Sequence, residues 1–306
     1  MRTVYLGTSR FAGAVLRALA GSPHRPALVV SRPDRQQGRG RKLAPPATVT
    51  VARELAIDVY QPESVNTEEA RARIAHANAD AICVCAFGAL IKEPLLSDQL
   101  ILNVHPSLLP RWRGAAPIER AILAGDERTG VSIMELTAGL DSGPVALQEQ
   151  TPIFPDDDYA TLSARLEQIG GRLIVSAFDQ QQAGTLALTF TEQDEAGVTY
   201  AEKLTAEDRR LDPTQPAAGL ALRVRALSPH IGAYVELPDG TRLGVWQAAR
   251  AATEACADEA AESVQIDLNG TWPRLRTPDG VLELRRVQPP GKQPMSGADY
   301  LRGLKR

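Results

Sequence analysis

Aromatic side chains make up only 5% of this 306-residue chain, and there are three cysteines, two of them at Cys83 and Cys85. So few cysteines cannot build a disulfide framework, which points to a reducing, cytoplasmic setting. No Cys/His cluster has zinc-ligand spacing, so no metal is expected. No run of about 18 apolar residues occurs, and the opening MRTVYLGTSRF has no apolar stretch of signal-peptide length. Neither a membrane partner nor an export signal is expected. An excess of one charge is also missing. Lys+Arg 34 against Asp+Glu 37 leaves −3, which excludes a uniformly basic nucleic-acid coat and a disordered acidic chain. Gly7 and Gly13 do not form a G-x-G-x-x-G fingerprint and no Walker sequence exists, so a nucleotide cofactor has no support.

What is present is an ordinary globular composition, 43% apolar and 23% charged, in a chain long enough for two domains. As far as about residue 190, β-branched runs alternate with helix-period segments, the pattern of βαβ units and a mainly parallel sheet. Strands are predicted at 3–6, 27–30, 81–87, 100–104 and 131–136. Helices are predicted at 11–19, 49–56 and 159–180, with another starting at Pro117 and stopped by Gly125. Asn66, with Glu69 three residues on, suggests an N-cap. Residues 191–206 have linker composition. From 207 to 306 a helix near 215–227 precedes strand-like segments around two Pro-Asp-Gly turns, 238–240 and 278–280, which suggests a small closed or nearly closed β-barrel. The Ala-rich stretch 248–261 looks like an exposed excursion of that barrel.

Three segments could carry chemistry. In Asn103-Val-His-Pro, residues at i and i+2 share one face of a strand that Pro106 ends. Asn103 and His105 would therefore project together at a carboxyl edge, where open α/β sheets bind ligands. An amide donor beside an imidazole can stabilise an oxyanion and move a proton, the two tasks of acyl transfer. The same spacing also suits side chains that merely satisfy backbone groups at a strand end, and spacing does not choose between them. Asp141, in Gly139-Leu-Asp-Ser-Gly143 after another strand, could orient the imidazole or serve as an ordinary Asx-turn residue. Finally, 32–42 holds five cations against one acid, which suits phosphates or a solvated surface loop. From 285 to 306 there are six Lys+Arg and one Asp.

With these segments assembled, the chain resembles the methionyl-tRNA formyltransferases, a family of folate-dependent formyltransferases, over essentially its full length. The residues that carry the resemblance are 103–117 (NVHPSLLPRWRGAAP), 139–143 (GLDSG), 33–43 (PDRQQGRGRKL), 199–204 (TYAEKL) and 288–297 (QPPGKQPMSG). The first two segments are common to folate-dependent formyltransferases, and the other three are particular to the tRNA enzymes. The resemblance implies a Rossmann-like formyltransferase domain over 1–190, a linker over 191–206 and an OB-like barrel over 207–306. It implies transfer of the formyl group of 10-formyltetrahydrofolate to the methionine amine of initiator Met-tRNA by a cytoplasmic monomer with no DNA partner. Asn103 and His105 would hold the carbonyl oxygen, and Asp141 would position His105 and help carry the proton. Ser107, Leu108, Leu109 and Pro110 match the folate-binding segment. Arg39 falls on an acceptor-stem contact, with Arg41 and Lys42 as phosphate neighbours. The chain departs from the family at Ser9-Arg10, where Pro followed by an acid is common, and at 225–230, which lacks the usual aromatics. A formyltransferase acting on a sugar-nucleotide amine shares the domain order and the Asn-x-His and Asp motifs. The Gly-Arg-Gly loop and TYAEKL argue against it. A glycinamide-ribotide formyltransferase would end near the first domain, and an NAD-dependent oxidoreductase would need the missing glycine fingerprint.

Overall fold

Short apolar runs rich in β-branched residues can be buried on both faces only inside a covered sheet. The computed structural model, which describes residues 1–37, 42–184, 188–251 and 266–304, places the expected runs in such a sheet. The chain divides into two units, Met1–Pro117 with Arg128–Pro152 and Ser163–Glu202, and Ile118–Glu127 with Ile153–Leu162 and Lys203–Arg306. As far as residue 60 the elements are β1 (Thr3–Gly7), α1 (Arg10–Ala20), β2 (Pro26–Val30), β3 (Arg35–Gln37), β4 (Lys42–Ala44), α2 (Ala47–Glu54) and β5 (Asp58–Tyr60). There follow α3 (Glu68–Ala75), β6 (Ala81–Cys85), α4 (Leu95–Asp98), β7 (Leu100–His105), β8 (Arg113–Gly114) and α5 (Pro117–Leu123). Next come β9 (Arg128–Glu135), β10 (Val145–Pro152), α6 (Tyr159–Ala183) and β11 (Tyr200–Ala201).

The main sheet has the order β10-β9-β7-β6-β1-β2-β5. The five strands from β7 to β5 are parallel, while β9 and β10 are antiparallel additions at one side. After β1 the chain adds β2 on one flank and later β6 on the other. That reversal is the place where open α/β sheets bind ligands beyond their carboxyl ends. The expected Rossmann-like, mainly parallel sheet is therefore present. Helix α1 starts at Ser9, whose Oγ accepts the Ala12 N–H at 3.1 Å, and it buries Phe11, Val15, Leu16 and Leu19. The cap of α3 is Thr67 rather than the expected Asn66, because Asn66 uses its amide to join Leu90 O and Lys92 N. At Gly170 of α6 a Cβ would lie 2.9 Å from Val104 Cγ1, so a glycine there lets the helix press onto β7 just before its functional end. No helix among the described residues is long and apolar enough to cross a membrane.

The basic segment forms a narrow antiparallel ribbon, β3 with β4, in which Arg35 faces Ala44 and Gln37 faces Lys42. Arg39 and Arg41 lie outside the described residues, and Lys42 is exposed.

The second unit contains α7 (Ala217–Leu227), β12 (Ala233–Glu236), β13 (Arg242–Arg250), β14 (Ile266–Asp267), β15 (Arg274–Thr277), β16 (Gly280–Gln288), β17 (Met295–Ser296) and α8 (Gly297–Leu304). Its antiparallel sheet runs β12-β13-β16-β15-β14, with β17 also on β16. Among the described residues β12 and β14 are unpaired with each other, so the expected barrel is a curled half-barrel. Leu220, Val224, Val245, Leu275, Leu282 and Leu284 are among its core residues. Both Pro-Asp-Gly turns form, with Gly240 and Gly280 at positive φ. The second turn has a further role. Pro216 precedes α7 and offers no capping side chain, and Asp279 Oδ1 accepts the Ala217 N–H at 2.5 Å in its place. Of the Ala-rich stretch, 248–250 belongs to β13, and 252–261 lies outside the described residues.

Candidate active site

Strand β7 delivers Asn103 and His105 to the carboxyl edge of the sheet, and both are buried, at 7% and 4% exposure. Among the described residues the Asn103 carboxamide has no hydrogen-bond partner, and it is not one of the side chains whose unpartnered polar atoms are sealed from solvent, so its amide opens to the edge. His105 Nε2 lies 2.9 Å from the Trp112 carbonyl oxygen. A carbonyl only accepts, so Nε2 carries a proton. The other nitrogen, Nδ1, stands 3.7 Å from Asp141 Oδ2. Asp141 itself adopts φ +45, and its Oδ2 accepts the Gly114 N–H at 2.8 Å. Asn103, His105 and Asp141 therefore occupy one edge of the sheet, and the imidazole touches two of the loops that converge there.

Those loops are held from below. Trp112, at φ +66, donates its N–H to Thr199 Oγ1 at 2.9 Å. The parallel pair β8–β11 places Gly114 (φ +123) against Ala201 so closely that a Cβ would meet Ala201 O at 2.8 Å. The Arg113 side chain is buried and donates Nε–H to Gln193 Oε1 at 3.0 Å. Gln193 Nε2 in turn donates to Asp141 O and Gly143 O at 2.8 and 2.7 Å. Residues 193–201 therefore belong to the site's foundation, although their composition reads as a linker. Sequence reasoning gave no role to Trp112 O, Arg113, Gln193 or the Thr199 hydroxyl. TYAEKL was a signal at Thr199, but its partner lies 87 residues away.

The segment 107–110 is anchored inward. Ser107 Oγ donates to Arg111 O at 2.6 Å, and Ser107 O accepts from Ser132 Oγ at 2.7 Å. Leu109 N–H donates to Ser132 Oγ at 3.1 Å, and Gln148 donates to Leu109 O at 2.8 Å. Leu108 Cδ2 sits 2.5 Å from where a Cβ at Gly130 would be. Leu109 and Pro110 help wall a recess of about 300 Å³ toward β10. Larger clefts open elsewhere in the unit. One of about 610 Å³ lies beyond β1, β2 and β6 and is lined by Ser9, Arg10, Arg32, Arg35 and Phe87 among others. Another of about 560 Å³, which includes Glu93, Leu100, Leu136 and Thr137, lies at the amino end of β7, because β9 runs antiparallel to β7 and ends there. Of the two, the cleft beyond β1, β2 and β6 is the one at the carboxyl edge to which Asn103 and His105 rise.

Cys83 and Cys85 are not poised for this chemistry. Cys83 and Cys85 are fully buried in β6, and burial pushes the Cys85 thiol up to about 12, against the lowering hydrogen bond from Tyr5. Neither offers a thiolate near neutral pH.

A doubly wound α/β unit with this edge, followed by a curled antiparallel sheet, recurs in solved structures. The structure superposes on HypX from Aquifex aeolicus in complex with tetrahydrofolic acid with a TM-score of 0.64 at 18% identity, covering 98% of this chain and 47% of that one. It also superposes on the Helicobacter canadensis N-formyltransferase in complex with folinic acid and dTDP-3-aminofucose, with a TM-score of 0.65 at 13% identity, covering 92% and 98% of the two chains. At these identities the likeness is one of fold. Residues 1–178 match the formyl transferase family model and 203–305 the model of the formyl transferase C-terminal domain, so the chain belongs to the formyl transferase family. Methionyl-tRNA formyltransferase of Halorhodospira halophila is 42% identical over 304 residues, 99% of this chain and 96% of its own. That of Chromohalobacter salexigens is 41% identical over 308 residues, 98% and 93% of the two chains. The protein is thus a one-carbon group transferase.

Proposed function

We propose that this protein transfers the formyl group of 10-formyltetrahydrofolate to the α-amino group of methionine on initiator tRNA. The observation that carries the reading is the meeting of Asn103, His105 and Asp141 at one sheet edge, in a chain about 40% identical along its length to methionyl-tRNA formyltransferases. Residues 1–190 would catalyse and 207–306 would help to hold the tRNA, in a cytoplasmic monomer.

Attack of an amine on a formyl carbon forms a C–N bond and pushes charge onto the carbonyl oxygen. Asn103, whose amide has no partner within the described residues, supplies a donor for that oxygen without breaking a hydrogen bond inside the protein. Since Trp112 O holds the Nε2 proton, His105 offers the reaction Nδ1 alone, as a base when neutral and as a donor once protonated. Asp141 stabilises the charged imidazole across 3.7 Å. Asp141 and His105 pass the amine's proton to the departing folate nitrogen as its bond to the formyl carbon breaks. The unpartnered Asn103 amide and the cleft of about 610 Å³ at the same edge fit a folate co-substrate and its acceptor meeting at the carboxyl end of β7. Ser107–Pro110 would support the folate side chiefly by fixing the wall behind it. Arg39 and Arg41, with the exposed Lys42 at the ribbon, would meet acceptor-stem phosphates.

The test is formylation by the purified protein from labelled 10-formyltetrahydrofolate, with initiator Met-tRNA and UDP-linked amino sugars offered separately. Label should enter formylmethionyl-tRNA. Label confined to the sugar amine would overturn the assignment of the acceptor.

A further inference from the structure

Asp141 faces His105 only while its backbone stays in a left-handed conformation, φ +45, which a non-glycine residue keeps when its surroundings hold it there. The group that holds it comes from the segment joining the two family domains. Both amide hydrogens of Gln193 are committed to this loop, one to Asp141 O at 2.8 Å and the other to Gly143 O at 2.7 Å. The orientation of that amide is fixed as well. Arg113 Nε can only donate, and it donates to Gln193 Oε1 at 3.0 Å, so the amide cannot turn over without facing donor to donor. Arg113 is buried, at 4% exposure, and the N–H of the next residue, Gly114, holds the Asp141 carboxylate at 2.8 Å. Arg113–Gly114, Asp141 and Gln193 thus close a ring of hydrogen bonds around the loop. The backbone of Asp141 is held on one side of that ring and its carboxylate on the other.

We propose that Gln193 is a positioning residue for the formyl-transfer reaction, fixing the Asp141–Gly143 loop so that the carboxylate stands opposite His105 Nδ1. This inference rests on the roles given above to Asp141 and His105. It adds a function for the junction segment, because the residues that lead into the C-terminal domain also set the geometry of the proton-handling pair.

Gln193→Glu is the informative variant. It keeps the length of the side chain and an acceptor for Arg113, but it turns a carboxylate oxygen toward the Asp141 and Gly143 carbonyls, which now repel it. Misplacing a proton-transfer group by about 1 Å costs up to about 100-fold. The expected result is a fall in kcat of roughly 10- to 100-fold with KM for both substrates and the thermal midpoint nearly unchanged. In an Asp141→Asn background, where little is left to position, the same change should cost less than about twofold. The role is overturned by a Gln193→Glu kcat within about twofold of the unsubstituted protein, by an undiminished loss in the Asp141→Asn background, or by a loss that parallels unfolding. Turnover is followed as tetrahydrofolate release with Met-tRNA and with an amino-sugar nucleotide. If the unsubstituted protein turns over only with the sugar, the tRNA reading fails while the Gln193 comparison is made with that acceptor.

Discussion

The carboxyl edge of the first unit's sheet and the outer surface of the half-barrel in the second hold their polar groups differently. At that edge His105, Ser107, Arg113 and Ser132 are all buried, and most of their partners are backbone atoms or neutral side chains at fixed distances. On the half-barrel, Arg242–Glu236 at 3.8 Å, Arg250–Asp279 at 3.7 Å and Arg276–Asp267 at 3.6 Å are pairs of at least partly exposed side chains, while Arg274 and Arg285 share the buried Glu283. A buried group whose partner is backbone cannot move without leaving a polar atom unpaired, so its position is specified closely. An exposed ion pair contributes at most about 1 kcal/mol, is screened by salt and can be exchanged for another partner. Proton transfer needs the first kind of construction. The second is suited to holding a ladder of phosphates, where charge matters more than exact placement.

The comparison can be broken most severely at the site. Asn103→Ala and His105→Ala should each lower kcat about 10²- to 10³-fold in the formylation assay, the usual cost of one donor to an oxyanion. Activity within a few-fold of normal in either variant would remove that residue from the reaction. A much smaller effect is expected at the basic ribbon. Lys42→Ala should raise KM for tRNA a few-fold and reduce the salt dependence of binding by about one counterion, with folate affinity unchanged. Identical salt slopes would place the contact elsewhere.

Stability in the second unit should be less sensitive, except where a side chain meets backbone. The Ala217 N–H holds the Asp279 carboxyl below its ordinary value, with opposing desolvation and further help from Thr277 and Arg250. Because the folded value is depressed, the contribution is complete above the ordinary carboxylate range and is lost as pH falls through the folded value. Asp279→Ala should therefore lower the thermal midpoint at neutral pH by a few degrees, and the gap should close on acidification. A gap that is the same at neutral and acid pH would contradict the capping role. Least of all, Arg242→Ala should change stability by no more than about 0.5 kcal/mol in chemical denaturation. A larger loss would mean that this surface is organised more like the first unit than it appears from its exposure.

Much of the first unit was legible because its signals are local. The runs at 3–6, 27–30, 81–87, 100–104 and 131–136 are mainly apolar, and each became a strand within a few residues of its predicted limits. Asn103, His105 and Asp141 could be singled out because alternation along a strand and a following Gly-rich turn say where such residues point. Strand β10 escaped notice since most of VALQEQTP is at least partly exposed and has no apolar alternation. The two-residue pair β8–β11 has no periodicity at all, and it depends on residues 87 apart coming together. Gln193 was hidden for the same reason, since its partners lie 50 to 80 residues away and it sits in a stretch with the composition of a loop. The exchange of Asn66 for Thr67 as the cap of α3 has a similar origin, because the competing contacts of Asn66 lie more than 20 residues further on.

The most direct test of the central claim is single-turnover formylation of initiator Met-tRNA by the unsubstituted protein and by Asp141→Asn, with folate binding measured on the same samples. The account expects formylmethionyl-tRNA from the unsubstituted protein. For the variant it expects a loss of at least about 100-fold in the chemical step with folate affinity preserved. Near-normal formylation by Asp141→Asn, or a loss explained wholly by weaker folate binding, would contradict it.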